Sequence, residues 1–338
     1  MTAQEFSSPA GLLFLAGFHK MRFPEFRLSE PLAEKKRLFA LLGTVTHDVI
    51  TQASGRVLSG EGGILYQAAG LCGLGQPVRL YTNIGRDIFL RVKPVLEGWP
   101  ACDSSRIRVF PGPGNSVFLH YPETGERVEV LESAVPPLRP DLWLRDLLDM
   151  SFLILVINSG FDISLPDWRR IVRRAQCPIW FDVHSLTLTL ELHTARRYRP
   201  LPEWKEWAKG TTYLQANLKE VASMLGDPER APSHDEISQF GKQAFELGIQ
   251  AVFITLGADG VSVLMPGRTK RIGPTKALNV VDTTGCGDIF CAGAAALLAS
   301  GADLVEAAAF GSELASEAAG VSGVEAAYNL VRNRTFSA

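Results

Sequence analysis

"VVDTTGCGDIFCAGAAALLASG", residues 280–301, has the pattern of a strand end, a tight glycine turn and a helix rich in small residues. A helix N-terminus offers unpaired N–H groups and a partial positive charge, so it binds anions. Gly285 and Gly287 allow the backbone to approach a phosphate closely. The carboxylate of Asp288 would repel that phosphate unless its role is to take a proton from an attacking hydroxyl. The stretch therefore predicts phosphoryl transfer, although an ordinary aspartate cap explains "GCGD" alone about equally well.

Composition limits the class of protein. The chain has 338 residues, of which 46% are apolar and 21% charged, and this balance supports a buried core. The formal net charge of −2 gives no general attraction to nucleic acid or to an anionic membrane, and neither partner is expected. The five cysteines form no CxxC pair, which argues against a disulfide framework and a zinc knuckle. We expect a reducing, cytoplasmic compartment.

The first part of the chain differs from the rest. "AGLLFLAGF" (10–18) is apolar, but it is too short to span a bilayer and lacks the basic residues that precede the core of a secretory signal. We therefore predict an N-terminal extension over 1–36 and one α/β domain over 37–335.

From Leu38 onward, continuous apolar strands alternate with helical stretches at 164–175, 218–225 and 235–248. This alternation predicts a mostly parallel central sheet that is covered by helices on both faces. In such sheets, binding sites lie beyond the carboxyl ends of the strands. The polar residues predicted there are Asp48, Asn158, Asp182, Asn217 and Thr255.

One region, 106–133, breaks this pattern. Its alternating residues and the turn "PETGE" predict a β-hairpin, to which the turn-rich segment of about 49–61 adds a strand. A small β-sheet projecting from an α/β body is a candidate lid over a substrate. Exposed strand edges and apolar faces seek partners, so we also expect a homodimer through the lid. The polar lid residues predicted to contact substrate are Asn115, Glu126 and Arg127.

The remaining motifs identify a family. There is no GxxxxGK[ST] motif and no HRD or DFG motif, so P-loop enzymes and protein kinases are excluded. Instead, the chain from about residue 38 resembles the PfkB/ribokinase family of carbohydrate and nucleoside kinases, and the resemblance implies a ribokinase-like fold. The motifs that carry it stand in the family's order: "LLGTVTHD", "GGILYQAAGLCGLG", "NIGRD", "NLKE" (217–220), "ITLGADG" (254–260) and "DTTGCGDIFCAGAA".

The resemblance implies ATP-dependent phosphorylation of a sugar or sugar-derivative hydroxyl. Asp288 is then the catalytic base, and the amides of Gly285, Cys286 and Gly287 form an anion hole. Asn217 and Glu220 help to hold hydrated Mg²⁺, and the family also often uses a monovalent cation near the loop that contains Asp282. Predicted substrate-binding residues are Asp48, Gly62, Gly63, Gln67, Asn115 and Asn158. Predicted ATP-binding residues are Asn217, Thr255, Gly257, Gly260, Thr283 and Gly311.

Departures from the family pattern lie mostly on the sugar side. Gln67 stands where an asparagine is usual, with Tyr66 before it, and Thr46 replaces another common asparagine. The substrate therefore stays open among sugars, sugar acids, polyols and nucleosides. A nucleoside kinase of the same fold and a non-catalytic ligand-binding homologue are the alternatives. Asn217 and Glu220 also suit a plain helix cap, and His184 suits a hydrogen-bonded strand end.

Overall fold

The computed structural model describes residues 37–123, 128–273 and 280–334. The predicted extension over 1–36 lies outside these ranges, as do Glu126 and Arg127. No helix within the described ranges is long and apolar enough to cross a bilayer.

The strands form two separate sheets. They are β1 (Phe39–Leu42), β2 (Val45–Thr51), β3 (Val57–Gly63), β4 (Val78–Gly85), β5 (Cys102–Asp103), β6 (Ile107–Phe110), β7 (Asn115–His120), β8 (Val128–Ser133), β9 (Phe152–Val156), β10 (Ile179–Asp182), β11 (Ala195–Arg196), β12 (Tyr213–Asn217), β13 (Ala251–Thr255), β14 (Val261–Met265) and β15 (Arg268–Ile272).

Helices follow or separate most strands of the larger sheet. They are α1 (Leu65–Gly73), α2 (Arg86–Glu97), α3 (Leu165–Arg174), α4 (Trp204–Ala208), α5 (Leu218–Leu225), α6 (His234–Glu246), α7 (Cys286–Ala299), α8 (Leu304–Ala318) and α9 (Val324–Arg332).

The larger sheet has the strand order β15-β14-β13-β12-β10-β9-β1-β4-β5. Strands from β13 to β5 run parallel, whereas β14 and β15 add an antiparallel edge. Alternate side chains of β1 enter two different cores: Phe39 and Leu41 pack with α1, α7, α8 and α9, while Ala40 and Leu42 pack with α3 to α6. The predicted mostly parallel sheet covered on both faces is therefore confirmed.

The second sheet has the order β11-β8-β7-β2-β3, and we call it the lid sheet. Its inner face carries a small apolar cluster of Ile50, Val117, Leu119 and Leu131. Its strands differ from the prediction in two respects. Strand β6 pairs with β4 of the larger sheet, because β5 covers only the first residues of β4 and leaves Thr82–Gly85 open to pairing. Strand β11, which comes from a much later loop and was not predicted, joins β8.

Candidate active site

The glycine turn at the start of α7 is held rigidly from two sides. Gly285 has φ of 78° and begins the helix, and a Cβ atom at this position would overlap the ring of Tyr66. Gln215 donates from Nε2 to the Gly287 carbonyl oxygen at 3.1 Å and accepts from Trp180 Nε1 at 3.1 Å. These contacts fix the first turn of α7, in which the Cys286 amide also donates to the Thr283 carbonyl oxygen at 3.3 Å, so the amides of the turn have a set orientation.

Asp288 lies in the first turn of α7 and is partly buried. Burial raises the pKa of Asp288 to about 8; a hydrogen bond from Gln67 acts in the opposite direction, and the charges of Asp48 and Glu220 raise it further. A carboxyl group with such a pKa can accept a proton near neutral pH and hold it strongly. The environment of the Asp288 carboxyl group therefore suits a general base.

Gln67 was predicted to contact substrate, and the structure places it elsewhere. Its side chain is fully buried and donates from Nε2 to Asp288 Oδ1. It does not line the acceptor pocket described next. Glutamine is one methylene longer than the asparagine that is usual here, and this extra length lets its amide reach the carboxylate of Asp288.

A small acceptor pocket of about 60 Å³ lies between the lid sheet and the start of α7. Among the predicted substrate residues, it brings together Asp48, Gly63, Asn158 and Asp288. Gly62 is not in its lining but lies against Asp48, whose carboxylate occupies the space that a Cβ atom would need. The complete lining is Thr46, Asp48, Gly63, Tyr66, Val117, Leu119, Glu129, Asn158, His184, Thr284 and Asp288.

Asn115 is another predicted substrate residue that the structure places outside the pocket. It is fully buried, donates to Thr44 Oγ1 at 2.8 Å and accepts from the Val135 backbone amide at 2.6 Å. Thr44 in turn donates to Asp162 Oδ1 at 2.6 Å. Asn115 therefore ties the base of the lid sheet to the body of the protein.

Two titratable side chains that line the acceptor pocket, Glu129 and His184, were not among the substrate-binding residues predicted from the sequence. Glu129 was not considered, although the alternation of β8 places it on the same face as the buried Leu131. His184 was interpreted as a hydrogen-bonded strand-end residue; its Nδ1 does lie 2.9 Å from Ser185 Oγ, but the ring also lines the pocket. Its positive φ of 39° is unusual for a residue other than glycine.

A larger cleft of about 1250 Å³ lies on the other side of the glycine turn. Cys286 and Gly287 line it, as do the predicted ATP-binding residues Asn217, Thr255, Gly257, Gly260 and Thr283. The apolar residues that line it include Val261, Val280, Phe290, Ala315 and Ala319.

Gly311 was predicted to bind ATP, and the structure does not place it in this cleft. It is the point of closest approach between α7 and α8, where a Cβ atom would lie 2.6 Å from the Phe290 carbonyl oxygen. Gly293 faces it from α7, and a Cβ atom there would lie 3.1 Å from the Gly311 Cα. Glycine is needed here because the two helices touch through their backbones.

Asn217 and Glu220 form a complete capping box at the start of α5. Glu220 accepts from the Asn217 amide at 2.8 Å and from Asn217 Nδ2 at 2.7 Å. Asp182 is close to this pair: burial raises its pKa well above the usual value, and the charges of Glu220 and Asp288 raise it further. Asn217 lines the donor cleft, whereas Glu220 is buried and does not line it, so the structure places the carboxylate behind Asn217 rather than on the surface of the cleft.

The donor set at this point suits hydrated Mg²⁺ better than a metal held by the protein alone. In the described ranges, no group of three or more His, Cys, Asp or Glu side chains could hold a metal ion. Magnesium usually keeps several waters and binds through one or two carboxylates together with substrate phosphates. Glu220, with Asn217 at the edge of the cleft, offers this kind of site.

Cys286 is not a reactive thiol. Burial raises its pKa to about 12, and the charges of Asp282 and Asp288 raise it further, so the thiol is protonated at neutral pH. Its contribution to the glycine turn is its backbone amide and its small size.

Comparison with known proteins was made on sequence and on structure. The family model for pfkB family carbohydrate kinase matches residues 194–329. Bifunctional protein HldE of Escherichia coli is 31% identical over 164 residues, which are 48% of this chain and 29% of that protein. The chain therefore matches less than a third of the length of this curated relative.

Solved structures resemble nearly the whole described fold. Ribokinase from Giardia lamblia superposes with a TM-score of 0.71 at 16% identity, over 88% of this chain and 98% of that one. Arabidopsis thaliana ribokinase, solved in complex with ribose and ATP, superposes with a TM-score of 0.67 at 18% identity, over 89% of this chain and 100% of that one. At these identities the likeness shows the fold, which is that of the ribokinases.

Proposed function

We propose that this chain, whose residues 194–329 match the model for pfkB family carbohydrate kinase and whose fold is that of the ribokinases, is an ATP-dependent kinase for a hydroxyl of a sugar or sugar derivative. One observation carries the proposal. Three consecutive residues at the start of α7 divide between two cavities, since Asp288 lines the acceptor pocket while Cys286 and Gly287 line the donor cleft. A group transferred between the two cavities would pass the backbone amides of this turn.

In the proposed reaction, Asp288 accepts the proton of the substrate hydroxyl as its oxygen attacks the γ-phosphorus of ATP. The new O–P bond forms while the bond from that phosphorus to the bridging oxygen breaks, and ADP leaves. The amides of Gly285, Cys286 and Gly287 stabilise the negative charge on the transferring group. The carbonyl contact from Gln215 keeps the turn in the orientation that this requires.

Magnesium, when bound, neutralises charge on the phosphate oxygens. Asn217, which lines the donor cleft, and Glu220, which their capping box fixes behind it, would hold it through its waters. The apolar wall formed by Val280, Phe290 and Ala319 suits a nucleotide base.

Two alternatives are weaker. A nucleoside acceptor needs an apolar or aromatic slot for its base, but the aromatic ring in the acceptor pocket, Tyr66, is packed against Gly285 and the pocket is small. A non-catalytic ligand-binding protein has no evident need for a carboxyl group with a pKa near 8 between two cavities.

A coupled ADP-release assay across sugars, sugar acids, polyols and nucleosides tests the proposal, with ATP and Mg²⁺ in excess. We expect acceptor-dependent ADP release that Asp288→Asn lowers by about a hundredfold to ten-thousandfold, the usual cost of losing a general base. ATP binding by this variant, measured by calorimetry, should be nearly unchanged. A variant that keeps most of its kcat would refute the assignment of the base, and nucleosides as the preferred acceptors would favour the alternative kinase.

A further inference from the structure

We propose that the acceptor is a neutral, polyhydroxylated molecule of monosaccharide size, and that Glu129 of the lid sheet is the residue that selects it. The inference rests on the proposed kinase function and narrows its substrate class. It comes from the charges and contacts of the acceptor pocket.

Glu129 is held in a fixed position in the pocket. It lies on β8 with 7% of its surface exposed, directly opposite Arg196 of β11 in the antiparallel pair. Arg196 Nη1 donates to Glu129 Oε1 at 3.0 Å, and its other donors reach the carbonyl oxygens of Thr189 at 2.9 Å and Ser185 at 3.3 Å. Because the carboxylate is already immobilised, a ligand that binds it does not have to order it.

The charge of the pocket favours an uncharged ligand. Three carboxyl side chains line it, namely Asp48, Glu129 and Asp288, and within the described lining His184 is the only basic side chain. The positive charge of Arg196 is already offset by its contact with Glu129. Hydroxyl groups donate strong hydrogen bonds to carboxylates, whereas a ligand carboxylate or phosphate would face several like charges.

The remaining lining suits the carbon skeleton and the size of such a ligand. Val117 and Leu119 present an apolar surface on the same side as Glu129 and can cover C–H groups. The cavity of about 60 Å³ corresponds to roughly four to six water positions. That space is suited to the hydroxyls of a single sugar or short polyol.

The first test uses pairs of compounds that share a carbon skeleton and differ only in oxidation state. Glucose and galactose are compared with glucuronate and galacturonate, which keep the ring, and the open-chain polyols ribitol and arabinitol are compared with ribonate and arabinonate, in the ADP-release assay. We expect the preferred neutral compound to exceed its acid by about a hundredfold or more in kcat/KM, as expected when a like charge is placed against buried carboxylates. Acids phosphorylated as well as their neutral partners would overturn this inference but leave the kinase function standing. Absence of ADP release with every compound would instead remove the proposed function, and this inference with it.

The second test assigns the selectivity to Glu129. Glu129→Gln keeps the shape of the side chain and removes its charge, so KM for the neutral acceptor should rise roughly 10- to 100-fold. Because Glu129 also lines the donor cleft, KM for ATP is measured in parallel, and it should rise less than KM for the acceptor. The preference for neutral compounds over acids should fall in parallel. Glu132→Gln is the matched control, since Glu132 lies on the same strand but pairs with His193 outside the pocket.

Loss of the buried partner of Arg196 can also unfold the protein, so a double variant is needed. Glu129→Gln combined with Arg196→Gln removes both charges together and avoids an unpaired buried guanidinium. The same fall in preference is expected in this variant, with folding monitored by thermal melting. An unchanged ratio of neutral to acidic kcat/KM in a folded variant would show that Glu129 is only part of a structural ion pair.

Discussion

Replacing Gln67 by leucine should move the pH dependence of the reaction to more alkaline values. Gln67 donates to the carboxylate of Asp288, and this hydrogen bond opposes the rise in the Asp288 pKa that burial causes. Leucine has a similar volume and cannot donate, so the ionised form of Asp288 loses its partner while remaining desolvated. The base must be ionised to accept a proton, and the variant therefore needs a higher pH to reach the same rate.

The size of the shift follows from the strength of the bond. A hydrogen bond to a charged group contributes roughly 1.5–3 kcal/mol, and this corresponds to about one to two pKa units. Starting from about 8, a rise of one unit reduces the ionised fraction at about pH 7.5 from roughly a quarter to roughly 3%. The loss in kcat/KM at that pH should therefore be about eightfold, and it should shrink as the pH rises.

The assay is the pH profile of kcat/KM for the preferred acceptor, because this parameter reports groups of the free enzyme. Tyr66→Phe is a suitable control: it changes the neighbouring residue of the same pocket without altering a hydrogen bond to Asp288. It is expected to leave the alkaline rise of the profile in place, whatever its effect on KM. If the leucine variant shows an unshifted rise, Gln67 does not tune the base, and its burial beside Asp288 is structural only.

The remaining predictions concern stability, magnesium, the turn and assembly. The pKa of Asp288 in the folded chain is raised from 3.8 to about 8. Between these values the folded chain holds a proton that the unfolded chain has released, so the stability of the fold falls as the pH rises. Asp288→Asn should therefore raise the melting temperature more at about pH 9 than at about pH 5. Glu220→Gln should raise the Mg²⁺ concentration needed for half-maximal rate several-fold in a metal titration, and full activity in excess EDTA would contradict a magnesium requirement. Gly285→Ala should lower kcat by about tenfold or more in steady-state kinetics and also lower the melting temperature, because φ is 78° and the Tyr66 ring fills the space of the new methyl group. Phe118 is 44% exposed on the outer face of the lid sheet, the face through which we predict a homodimer. Small-angle scattering should show a dimer for the parent chain and a monomer for Phe118→Glu. A monomeric parent would contradict the predicted assembly.

Local sequence patterns were sufficient to predict the larger sheet and the glycine turn at the start of α7. Continuous apolar strands such as "SFLILVINSG" are typical of buried parallel strands, and β9 is fully buried. The glycines around Cys286 could be interpreted from the sequence because a tight turn needs them. Gly285 does adopt a conformation that other residues rarely adopt.

The acceptor pocket was harder to predict because its residues meet only through tertiary contacts. Asn115 and Glu129 both lie on lid strands and are both buried, yet one bonds to Thr44 inside the protein and the other faces the ligand space. The alternation of a strand gives the face of each residue but not what lies opposite it. Strand β11 is only two residues long, too short for a sequence pattern, and yet it supplies the partner of Glu129.

The backbone contact between α7 and α8 at Gly293 and Gly311 fixes a distance that matters for the donor. Helix α7 begins with the glycine turn, and α8 carries small residues that line the donor cleft, such as Ala315. Because the helices approach each other through glycine backbone here, these two regions are held at a fixed separation, which in the proposed function is the separation between the phosphates and the base of ATP. Changes in loops around the cleft do not alter this separation, whereas a side chain added at Gly311 would push the two helices apart. In the proposed function, the contact between these helices sets the length of the donor from within the core of the protein, whereas Glu129 of the lid sheet lines both cavities and can affect donor and acceptor together.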